Sequence, residues 1–368
     1  MKVGILTFHR AHNCGAMLQN YALQTVLARM GVEAKTIDFN DIGEERRFSG
    51  LSGLTVKQHL RRLINFFFSI GFFDSRLARF NRFRQKFLNC TDWVFNQNSF
   101  PEFDYYIVGS DQVFQPNLTK QYCEAFLLKN VSPEKRISYA ASFGYDTLPE
   151  EFRTLYVKCL SRFKAVSVRE DTGKNIIHNE LKLDIPVETV LDPTLLLDAG
   201  DYDKIETKFQ TPDRYVLVYS IGGAEEKLRK VAKTIADKKG IQVVYVNACR
   251  RHYFDIPFSD LITTSPDRLV YLIRHAEYVV TTSFHGVAFS LVYKRQFSAI
   301  LPGDSKVAGR IPALLKSIGI LSRALSDKTS LDAFVALSES KIDYLEVDRC
   351  LQRLQIASID FLKKALGL

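Results

Sequence analysis

The segment from Tyr278 to Val292 joins a buried strand directly to a helix, and this pattern constrains the fold more than any other feature of the chain. Val279–Thr282 is a β-branched run that predicts a buried strand. Ser283 follows in the position of a helix N-cap, and apolar residues then recur at helical spacing. We therefore expect His285 and Gly286 at the tip where the strand becomes a helix. The free N–H groups and partial positive charge of a first helical turn make this tip a candidate anion site.

The alternation of strand, polar loop and helix recurs on both sides of a polar stretch. Residues 3–8 and 33–39 predict strands that flank a helix over 16–30, and this βαβ unit is typical of doubly wound sheets. A second set begins with a strand predicted at 215–220. The predicted fold class is thus α/β, with two Rossmann-like domains facing each other across a cleft. The predicted organisation is an N-terminal domain over 1–197, a linker over 198–213, a C-terminal domain over 214–343 and a terminal helix over 344–368.

Length, charge and cysteine pattern narrow the class of protein further. A chain of 368 residues exceeds what one hydrophobic core usually serves, which supports two domains. The formal charge of +9 favours anionic partners such as phosphorylated substrates, anionic lipid or nucleic acid. The 6 cysteines show no C-x-x-C and no metal-like pairing, so we expect free thiols in a reducing compartment and no metal site. The longest apolar run, residues 63–73, is too short to span a membrane, and we expect a cytoplasmic protein.

A basic segment over about 56–90 interrupts the α/β pattern. Its lysines and arginines alternate with phenylalanines and leucines at helical spacing, and Asp74 is its single acid. Two interpretations remain open. A basic amphipathic helical pair could lie on anionic lipid, which would place the protein peripherally on the inner face of the cell membrane. A helical hairpin with a solvated basic face is the commoner meaning of such a charge run.

Polar loops follow the predicted strands, and such loops bind ligands in doubly wound sheets. An arginine offers planar carboxylate or phosphate oxygens two parallel donors, which a lysine does not. Two arginines and a helix N-terminus bearing histidine therefore suit a ligand with both a carboxylate and a phosphate. Each residue also has an ordinary structural interpretation, since acids cap turns and arginines form ion pairs. The candidates are His9, Arg10, His12 and Asn13; Ser110, Asp111 and Gln112; Arg169, Glu170 and Asp171; Ser283, His285 and Gly286; and Arg310.

The motifs of several other protein classes are absent from the sequence. It contains no G-x-x-x-x-G-K-[ST], no strand followed by G-x-G-x-x-G, no G-x-S-x-G and no H-E-x-x-H. Basic residues do not alternate with aromatic residues in the pattern of a known RNA- or DNA-binding module. P-loop nucleotidases, dinucleotide enzymes and zinc proteases are therefore disfavoured, and no nucleic-acid partner is expected.

Several motifs, in order along most of the chain, resemble the polysaccharide pyruvyl transferase family. They include Val108-Gly-Ser-Asp-Gln-Val113, Ser138-Tyr-Ala-Ala-Ser142, Val190-Leu-Asp-Pro-Thr194 and Thr282-Ser-Phe-His-Gly286. One departure is Phe114, where the family often has tryptophan. This change alters packing volume and leaves the polar groups of the motif in place.

The resemblance implies a GT-B-like fold and phosphoenolpyruvate as co-substrate, with no other cofactor. It implies as acceptor a sugar in a cell-surface polysaccharide or its lipid-linked precursor, which would become a pyruvate ketal as phosphate leaves. The family associates its Ser-Phe-His-Gly histidine, here His285, and an arginine, here Arg169, with donor binding. We expect His285 and Asp111 to be catalytic. The expected donor-binding residues, on the C-terminal side, are Ser283, His285, Gly286 and Arg310 together with Arg169; those expected to bind the acceptor, on the N-terminal side, are His9, His12, Asn13 and Gln112.

Two other functions remain as alternatives at this point. A GT-B glycosyltransferase that uses a nucleotide sugar would have a similar architecture. A non-catalytic scaffold at the membrane surface, acting in polysaccharide assembly, would explain the basic charge. Phosphate release from phosphoenolpyruvate separates the first alternative from a pyruvyl transferase, and stabilisation by phosphoenolpyruvate argues against the second. Within the pyruvyl transferase interpretation, His285 could bind only the phosphate or could also deliver the proton.

Overall fold

The computed structural model describes residues 1–39, 77–247, 261–262, 264–303 and 309–368. Within these residues the first half of the chain forms a seven-stranded sheet. Its strands are β1 (Lys2–Leu6), β2 (Glu33–Phe39), β3 (Cys90–Val94), β4 (Tyr105–Asp111), β5 (Arg136–Ala141), β6 (Ala165–Val168) and β7 (Val187–Thr189). The strand order is β3-β2-β1-β4-β5-β6-β7, and every pairing is parallel.

The second half of the described chain repeats this topology with six strands. They are β8 (Tyr215–Ser220), β9 (Gln242–Asn247), β10 (Leu261–Ile262), β11 (Tyr278–Thr281), β12 (Gln296–Leu301) and β13 (Ala324–Ser326). Their order is β10-β9-β8-β11-β12-β13, again with parallel pairing. The strand order reverses between β1 and β4 in the first sheet and between β8 and β11 in the second. Ligand crevices in such sheets lie beyond the carboxyl ends of the strands at these reversals.

Helices cover both sheets. Those of seven or more residues are Cys14–Arg29, 77–87, Glu150–Leu160, Glu225–Lys239, Pro266–His275, Phe284–Val292, Arg310–Ser317, Leu331–Glu339 and Tyr344–Leu366. The shorter helical segments are Pro116–Thr119, Lys120–Tyr122, Cys123–Phe126, Pro133–Lys135, Asp171–Asn175, Ile176–Glu180, Pro193–Leu195, Ala199–Asp203 and Leu321–Arg323. The predicted α/β class with two Rossmann-like sheets is thus confirmed.

The bounds of several elements differ from the sequence prediction for local reasons. The first helix begins at Cys14 rather than 16, because the Asn13 side chain accepts hydrogen bonds from the N–H groups of Gly15 and Ala16. The predicted linker contains the short helix Ala199–Asp203, which begins with a capping box. Strands β3 and β13 were not predicted. Both are edge strands of the described sheets, and within the described residues each pairs with a single neighbour.

Most of the predicted basic insertion, residues 56–90, lies outside the described residues. Its described part contains the helix 77–87, where Phe80 and Phe83 are buried and Arg82 and Lys86 are exposed. This amphipathic pattern agrees with the predicted helical spacing. Among the described residues, no helix combines the length and the apolar character that crossing a bilayer requires.

The two halves share one hydrophobic core. Its buried side chains come from the helix Cys14–Arg29, from the second sheet and from the terminal helix Tyr344–Leu366. The terminal helix returns to the first half, where Ser358 Oγ accepts a hydrogen bond of 2.9 Å from Leu191 N. Phe361 of the same helix packs against Tyr139 of β5, with ring centroids 6.3 Å apart. The carboxyl ends of both sheets are thereby held close to each other.

Candidate active site

A cluster of buried charged side chains lies where the carboxyl ends of the two sheets meet. Asp111 is the last residue of β4, and Arg169 directly follows β6. Asp192 follows β7 after a short loop, and His285 lies in the first turn of the helix after β11. The parallel topology brings these residues together, since strand ends on one edge of a sheet are adjacent in space.

Arg169 is the centre of the cluster, and its side chain is only 2% exposed. Its Nη1 donates a hydrogen bond of 2.9 Å to Asp192 Oδ2. Its Nη2 lies 3.6 Å from Asp111 Oδ1, and its Nε lies 3.6 Å from Glu170 Oε2. Burial lowers the pKa of the guanidinium, but the three carboxylates outweigh burial and raise it. The guanidinium also stacks on the Phe284 ring at 4.6 Å, so it is fixed from several sides.

Asp192 holds Arg169 in place and is itself fully hydrogen-bonded. Its Oδ1 accepts from the Thr194 N–H at 3.0 Å and from Thr194 Oγ1 at 2.7 Å. Its Oδ2 accepts from Ser110 Oγ at 2.9 Å as well as from Arg169. Burial acts to raise the pKa of this carboxyl, but His285, Arg169 and Thr194 outweigh it and lower the pKa. Asp192 is therefore an ionised anchor beneath the site.

His285 faces Asp192 from the second half of the chain. Its Nε2 lies 3.9 Å from Asp192 Oδ2, beyond hydrogen-bond distance. Ser283 caps the helix by accepting a bond from the Gly286 N–H at 3.3 Å, so the predicted strand-to-helix tip is present. Burial lowers the pKa of the His285 imidazole, although Asp192 and Asp111 act in the opposite direction. The buried ring is therefore mainly neutral near pH 7.

Glu170 and Arg310 complete the cluster on its other side. Ser142 Oγ donates a hydrogen bond of 2.6 Å to Glu170 Oε1. Burial raises the pKa of the Glu170 carboxyl, and burial together with Arg169 lowers the pKa of the Arg310 guanidinium to about 10. Both side chains line a small recess together with Gly144, Tyr145, Asp146, Thr172 and Gly309.

Asp111 adopts a backbone conformation that few non-glycine residues use. Its φ is 76°, in the left-handed region, which costs of order 1–3 kcal/mol for such a residue. Its side chain is 12% exposed, against 3% for Glu170 and 0% for Asp192, so it is the acid of the cluster most open to solvent. The neighbouring Gln112 side chain packs directly against Gly144, where a Cβ would approach its Nε2 to 2.1 Å.

The residues after β1 form a second polar cluster, next to β2. His9 Nε2 lies 2.7 Å from Asp38 Oδ1, and Arg10 binds both oxygens of the same carboxylate. Asn13 is the helix cap already described, and the His12 ring packs edge-on against Phe80 with centroids 5.6 Å apart. The structure therefore brings Asp111, Arg169, His285 and Arg310 together, and it places His9 and Arg10 in contact with Asp38.

Four buried side-chain nitrogens of the main cluster have no hydrogen-bond partner within the described residues. They are Arg169 Nε, Arg169 Nη2, Arg310 Nε and His285 Nε2. A buried polar group without a partner is unfavourable by about 1–3 kcal/mol. The cluster is a candidate anion site, because an anion would accept from the three guanidinium nitrogens and also from His285 Nε2 when the ring is protonated. No group of three or more potential metal ligands occurs among the described residues.

The sequence did not predict Asp192 as a site residue, and it gave Glu170 no role. Glu170 is one of the candidates in the loop that contains Arg169 and Asp171, and Asp192 belongs only to the Val190–Thr194 motif. A signal for Asp192 was available, because Asp-Pro-Thr directly after a predicted strand places a carboxylate at the same edge of the sheet as Arg169. Nothing in the local sequence indicates that its Oδ2 would meet both Ser110 and Arg169.

Asp192→Asn is expected to destabilise the protein by about 3–5 kcal/mol at pH 7, because it leaves the buried Arg169 without its principal counter-charge. Asp192 has a lowered pKa in the folded state, so its contribution is present above its unfolded pKa and is lost as the pH falls through the folded value. The difference between wild type and variant should therefore shrink below about pH 4. Urea unfolding at several pH values measures this.

A matched control for this prediction is Asp237→Asn. Asp237 forms an exposed ion pair with Lys233 at 2.7 Å, and such pairs contribute about 0–1 kcal/mol. Equal destabilisation by the two substitutions would contradict the anchoring role of Asp192.

Known structures share this two-sheet architecture. UGT89C1 from Arabidopsis thaliana, complexed with UDP-L-rhamnose, is similar over 100% of this chain and 99% of its own, with 11% identity and a TM-score of 0.50. UDP-GlcNAc 2-epimerase from Methanocaldococcus jannaschii is similar over 97% of this chain and 100% of its own, with 12% identity and a TM-score of 0.50. These likenesses place the chain in the GT-B fold class of glycosyltransferases and epimerases. A comparison with curated protein sequences gave no significant match.

The family is defined by the sequence match. The model of the polysaccharide pyruvyl transferase family matches residues 13–304, which is most of the chain and contains Asp111, Arg169, Asp192 and His285. The chain belongs to the polysaccharide pyruvyl transferase family and is a transferase enzyme.

Proposed function

We propose that this enzyme transfers the enolpyruvyl group of phosphoenolpyruvate onto two hydroxyls of one sugar, giving a pyruvate ketal and phosphate. The acceptor is a sugar of a cell-surface polysaccharide or of its lipid-linked precursor. The observation that carries the proposal is the set of unpartnered buried side-chain nitrogens on Arg169, Arg310 and His285. Phosphoenolpyruvate carries a carboxylate and a phosphate, and two separate anions match two arginines and a histidine.

The geometry suggests which of these groups binds the phosphate of the donor and which binds its carboxylate. The proposed partner of the phosphate is His285, with the first turn of the helix Phe284–Val292. The planar guanidinium of Arg169 has two unpartnered nitrogens and binds the carboxylate, and Arg310 assists from the recess side. Once the phosphate is bound, its negative charge favours the protonated imidazole, which can then return a proton to the phosphate as it leaves.

Asp111 is the proposed base for the acceptor hydroxyl. It lies at the carboxyl end of β4, next to Arg169, and is the most exposed of the three acids. An incoming sugar can therefore reach it while the donor occupies the buried side. Gln112, His9, His12 and Asn13 are the proposed acceptor-binding residues on this face of the first half. A general base in this position typically accelerates a reaction about 10²–10⁴-fold.

A nucleotide-sugar donor is the alternative, and one feature of the second sheet disfavours it. The helix Glu225–Lys239 follows β8 at the strand-order reversal, where a diphosphate would approach the helix N-terminus. Its first turn contains Glu225 and Glu226. Two carboxylates at this position repel a phosphate rather than bind it.

Mass spectrometry of a lipid-linked oligosaccharide incubated with the enzyme and phosphoenolpyruvate tests the proposal. We expect the oligosaccharide to gain the mass of one pyruvate ketal with release of one phosphate, and fragmentation would identify the modified sugar. Parallel reactions with nucleotide sugars serve as the control. Sugar transfer from a nucleotide without phosphate release from phosphoenolpyruvate would contradict the proposal.

The affinity for phosphoenolpyruvate is expected to fall as the pH rises above neutrality. The free site holds a His285 whose pKa is lowered, and the bound phosphate raises that pKa, so binding takes up a proton between the two values. The dissociation constant should rise by up to about tenfold per pH unit in this window. Calorimetry from about pH 5.5 to about pH 9, in buffers of different ionisation enthalpy, measures both the slope and the proton uptake.

His285→Gln is the matching variant for this prediction. Glutamine retains a hydrogen-bond donor but does not titrate, so the pH dependence of binding should become shallower. If the dissociation constant depends on pH equally in wild type and variant, His285 does not bind the phosphate.

A further inference from the structure

Glu170 has an environment unlike that of the other two acids in the cluster. Its Oε1 accepts a hydrogen bond of 2.6 Å from Ser142 Oγ, and Ser142 Oγ in turn accepts from the Gly144 N–H at 3.1 Å. Its Oε2 has no hydrogen-bond partner among the described residues and lies 3.6 Å from Arg169 Nε. The side chain also lines the recess next to Arg310. One oxygen is thus fixed by the protein, and the other is available to a ligand.

This environment shifts the carboxyl towards its protonated form, although the Arg169 guanidinium acts against the shift. A carboxylate buried to 3% exposure, with one oxygen unpartnered, is poorly stabilised by its surroundings. A protonated Oε2 would instead be a hydrogen-bond donor directed at whatever enters the site. Burial accordingly raises the pKa of Glu170, although Arg169, Ser142 and Arg310 act against it. Pairs of acids in contrasting environments commonly divide the acid and base roles of a reaction.

The chemistry of ketal formation requires such an acid. The methylene carbon of the enolpyruvyl group must gain a proton before a sugar hydroxyl can attack the neighbouring carbon. In the proposed complex His285 binds the phosphate, and its proton goes to that leaving group rather than to the methylene carbon. A carboxylic acid is also intrinsically the stronger acid, with an unperturbed pKa of about 4.3 against about 6.5 for histidine.

The contacts of Arg169 place Glu170 beside the reacting carbons. If Arg169 binds the donor carboxylate, the attached carbons lie among the acids that share this guanidinium. Asp192 is occupied by Ser110 and Thr194, which leaves Asp111 and Glu170 as the available groups. Asp111 faces the acceptor side, and Glu170 faces the recess.

We infer that Glu170 is the catalytic acid that protonates the methylene carbon of phosphoenolpyruvate, an inference that rests on the proposed function. The O–H bond at Oε2 breaks, and a C–H bond forms that converts the methylene into a methyl group. The oxygen of the first sugar hydroxyl then bonds to the cationic carbon, and its proton passes to Asp111. The C–O bond to phosphate breaks, the leaving phosphate takes up the proton of the His285 imidazolium, and the proton on Asp111 is released to solvent. The second hydroxyl closes the ring, and its proton restores Glu170.

Glu170→Gln tests this assignment, because glutamine copies the shape of the protonated acid and keeps an acceptor for Ser142. We expect turnover to fall by about 10²–10⁴-fold, while phosphoenolpyruvate binds as well as to wild type or better. Turnover is followed in D₂O as deuterium entering the ketal methyl group, and binding is followed by calorimetry. The control is Glu124→Gln at the partly buried ion pair with Lys129, which lies outside the cluster, and it should leave turnover and binding unchanged.

A second measurement separates the acid role from a structural one. Ser142→Ala removes the hydrogen bond that favours ionised Glu170, so the alkaline limb of the pH–rate profile should move to higher pH. Glu170→Gln should also be more resistant to urea than wild type at about pH 8. The pKa of Glu170 is raised in the folded state, so its contribution to stability is fully present below the unfolded pKa and is lost as the pH rises through the folded value. Glutamine does not ionise and avoids this loss.

The outcomes distinguish this inference from the proposed function. If wild type binds phosphoenolpyruvate and Glu170→Gln keeps turnover within about tenfold of wild type, Glu170 is not the acid and only this inference fails. If the alkaline limb of the pH–rate profile does not move in Ser142→Ala, Glu170 is likewise not the acid. This second test remains decisive if Glu170→Gln does not fold. If wild type neither binds phosphoenolpyruvate nor releases phosphate from it, the proposed function and this inference fail together.

Discussion

Replacing Arg169 by methionine is expected to abolish measurable turnover and to destabilise the fold at neutral pH. Methionine has a similar length and leaves little empty space, so the effect isolates the lost charge. Asp192, Asp111 and Glu170 would then share a buried site without the guanidinium that lies within 2.9–3.6 Å of each. Breaking a buried ion pair by removing one partner destabilises by about 3–5 kcal/mol.

The pH dependence of the Arg169→Met variant gives a second readout. Without the guanidinium, the carboxyls regain stability by binding protons, so the deficit in the free energy of unfolding should decrease as the pH falls. Urea unfolding at a series of pH values measures the deficit, and phosphate release measures turnover. Arg153→Met is the control, because Arg153 pairs at 3.3 Å with Glu180 while 42% exposed. A variant at position 169 as stable and active as this control would contradict the central role of Arg169.

Gly15→Ala is expected to reduce turnover by about a hundredfold through displacement of His285. A Cβ at position 15 would lie 2.0 Å from His285 Nδ1, far inside any real contact. The ring is buried and cannot move without losing its position opposite Asp192, and a misplacement of about 1 Å can reduce a rate by about 10²-fold. Alanine is more favourable than glycine inside a helix by about 1 kcal/mol, so helix propensity alone predicts that Gly15→Ala stabilises the protein.

The measurement for Gly15→Ala is turnover together with the dissociation constant of phosphoenolpyruvate, since His285 is also the proposed phosphate ligand. Gly200→Ala provides a helical control, where a new Cβ meets only Asp198 Oδ1, at 3.2 Å. If Gly15→Ala retained both wild-type turnover and wild-type affinity, the close approach of the first helix to His285 would have no functional role.

The sequence predicted the fold class because its signals are local. Apolar runs followed by polar loops identified β4, β6 and β11, and the parallel topology then placed Asp111, Arg169 and His285 at strand ends that meet. The donor-side residues therefore converge in the structure, although their individual roles stay predictions. The topology also explains why Arg310 joins them from a helix of the second half.

Features that depend on neighbours distant in the chain could not be predicted in this way. Asp38 pairs with His9 and Arg10 across 29 and 28 residues, and no local pattern identifies that contact. Gly15 meets His285 only because the first helix packs against the second half. Edge strand β3 forms through pairing with β2 after a long intervening segment. In each case the determining contact arises from tertiary packing, which hydrophobic periodicity does not encode.

The return of the terminal helix to the first half has a consequence for building chimeric enzymes. Gln355 Nε2 donates to Leu195 O at 2.6 Å, and Ser358 Oγ accepts from the N–H of Leu191, the residue directly before Asp192. The last residues of the chain therefore belong structurally to the half that carries the proposed acceptor groups. A graft that exchanges acceptor preference between family members should transfer the chain from Gln355 onward together with the N-terminal half, because Tyr344 and Asp348 bind the second half. A chimera with one junction between the two sheets would pack the terminal helix of one parent against the first half of the other parent.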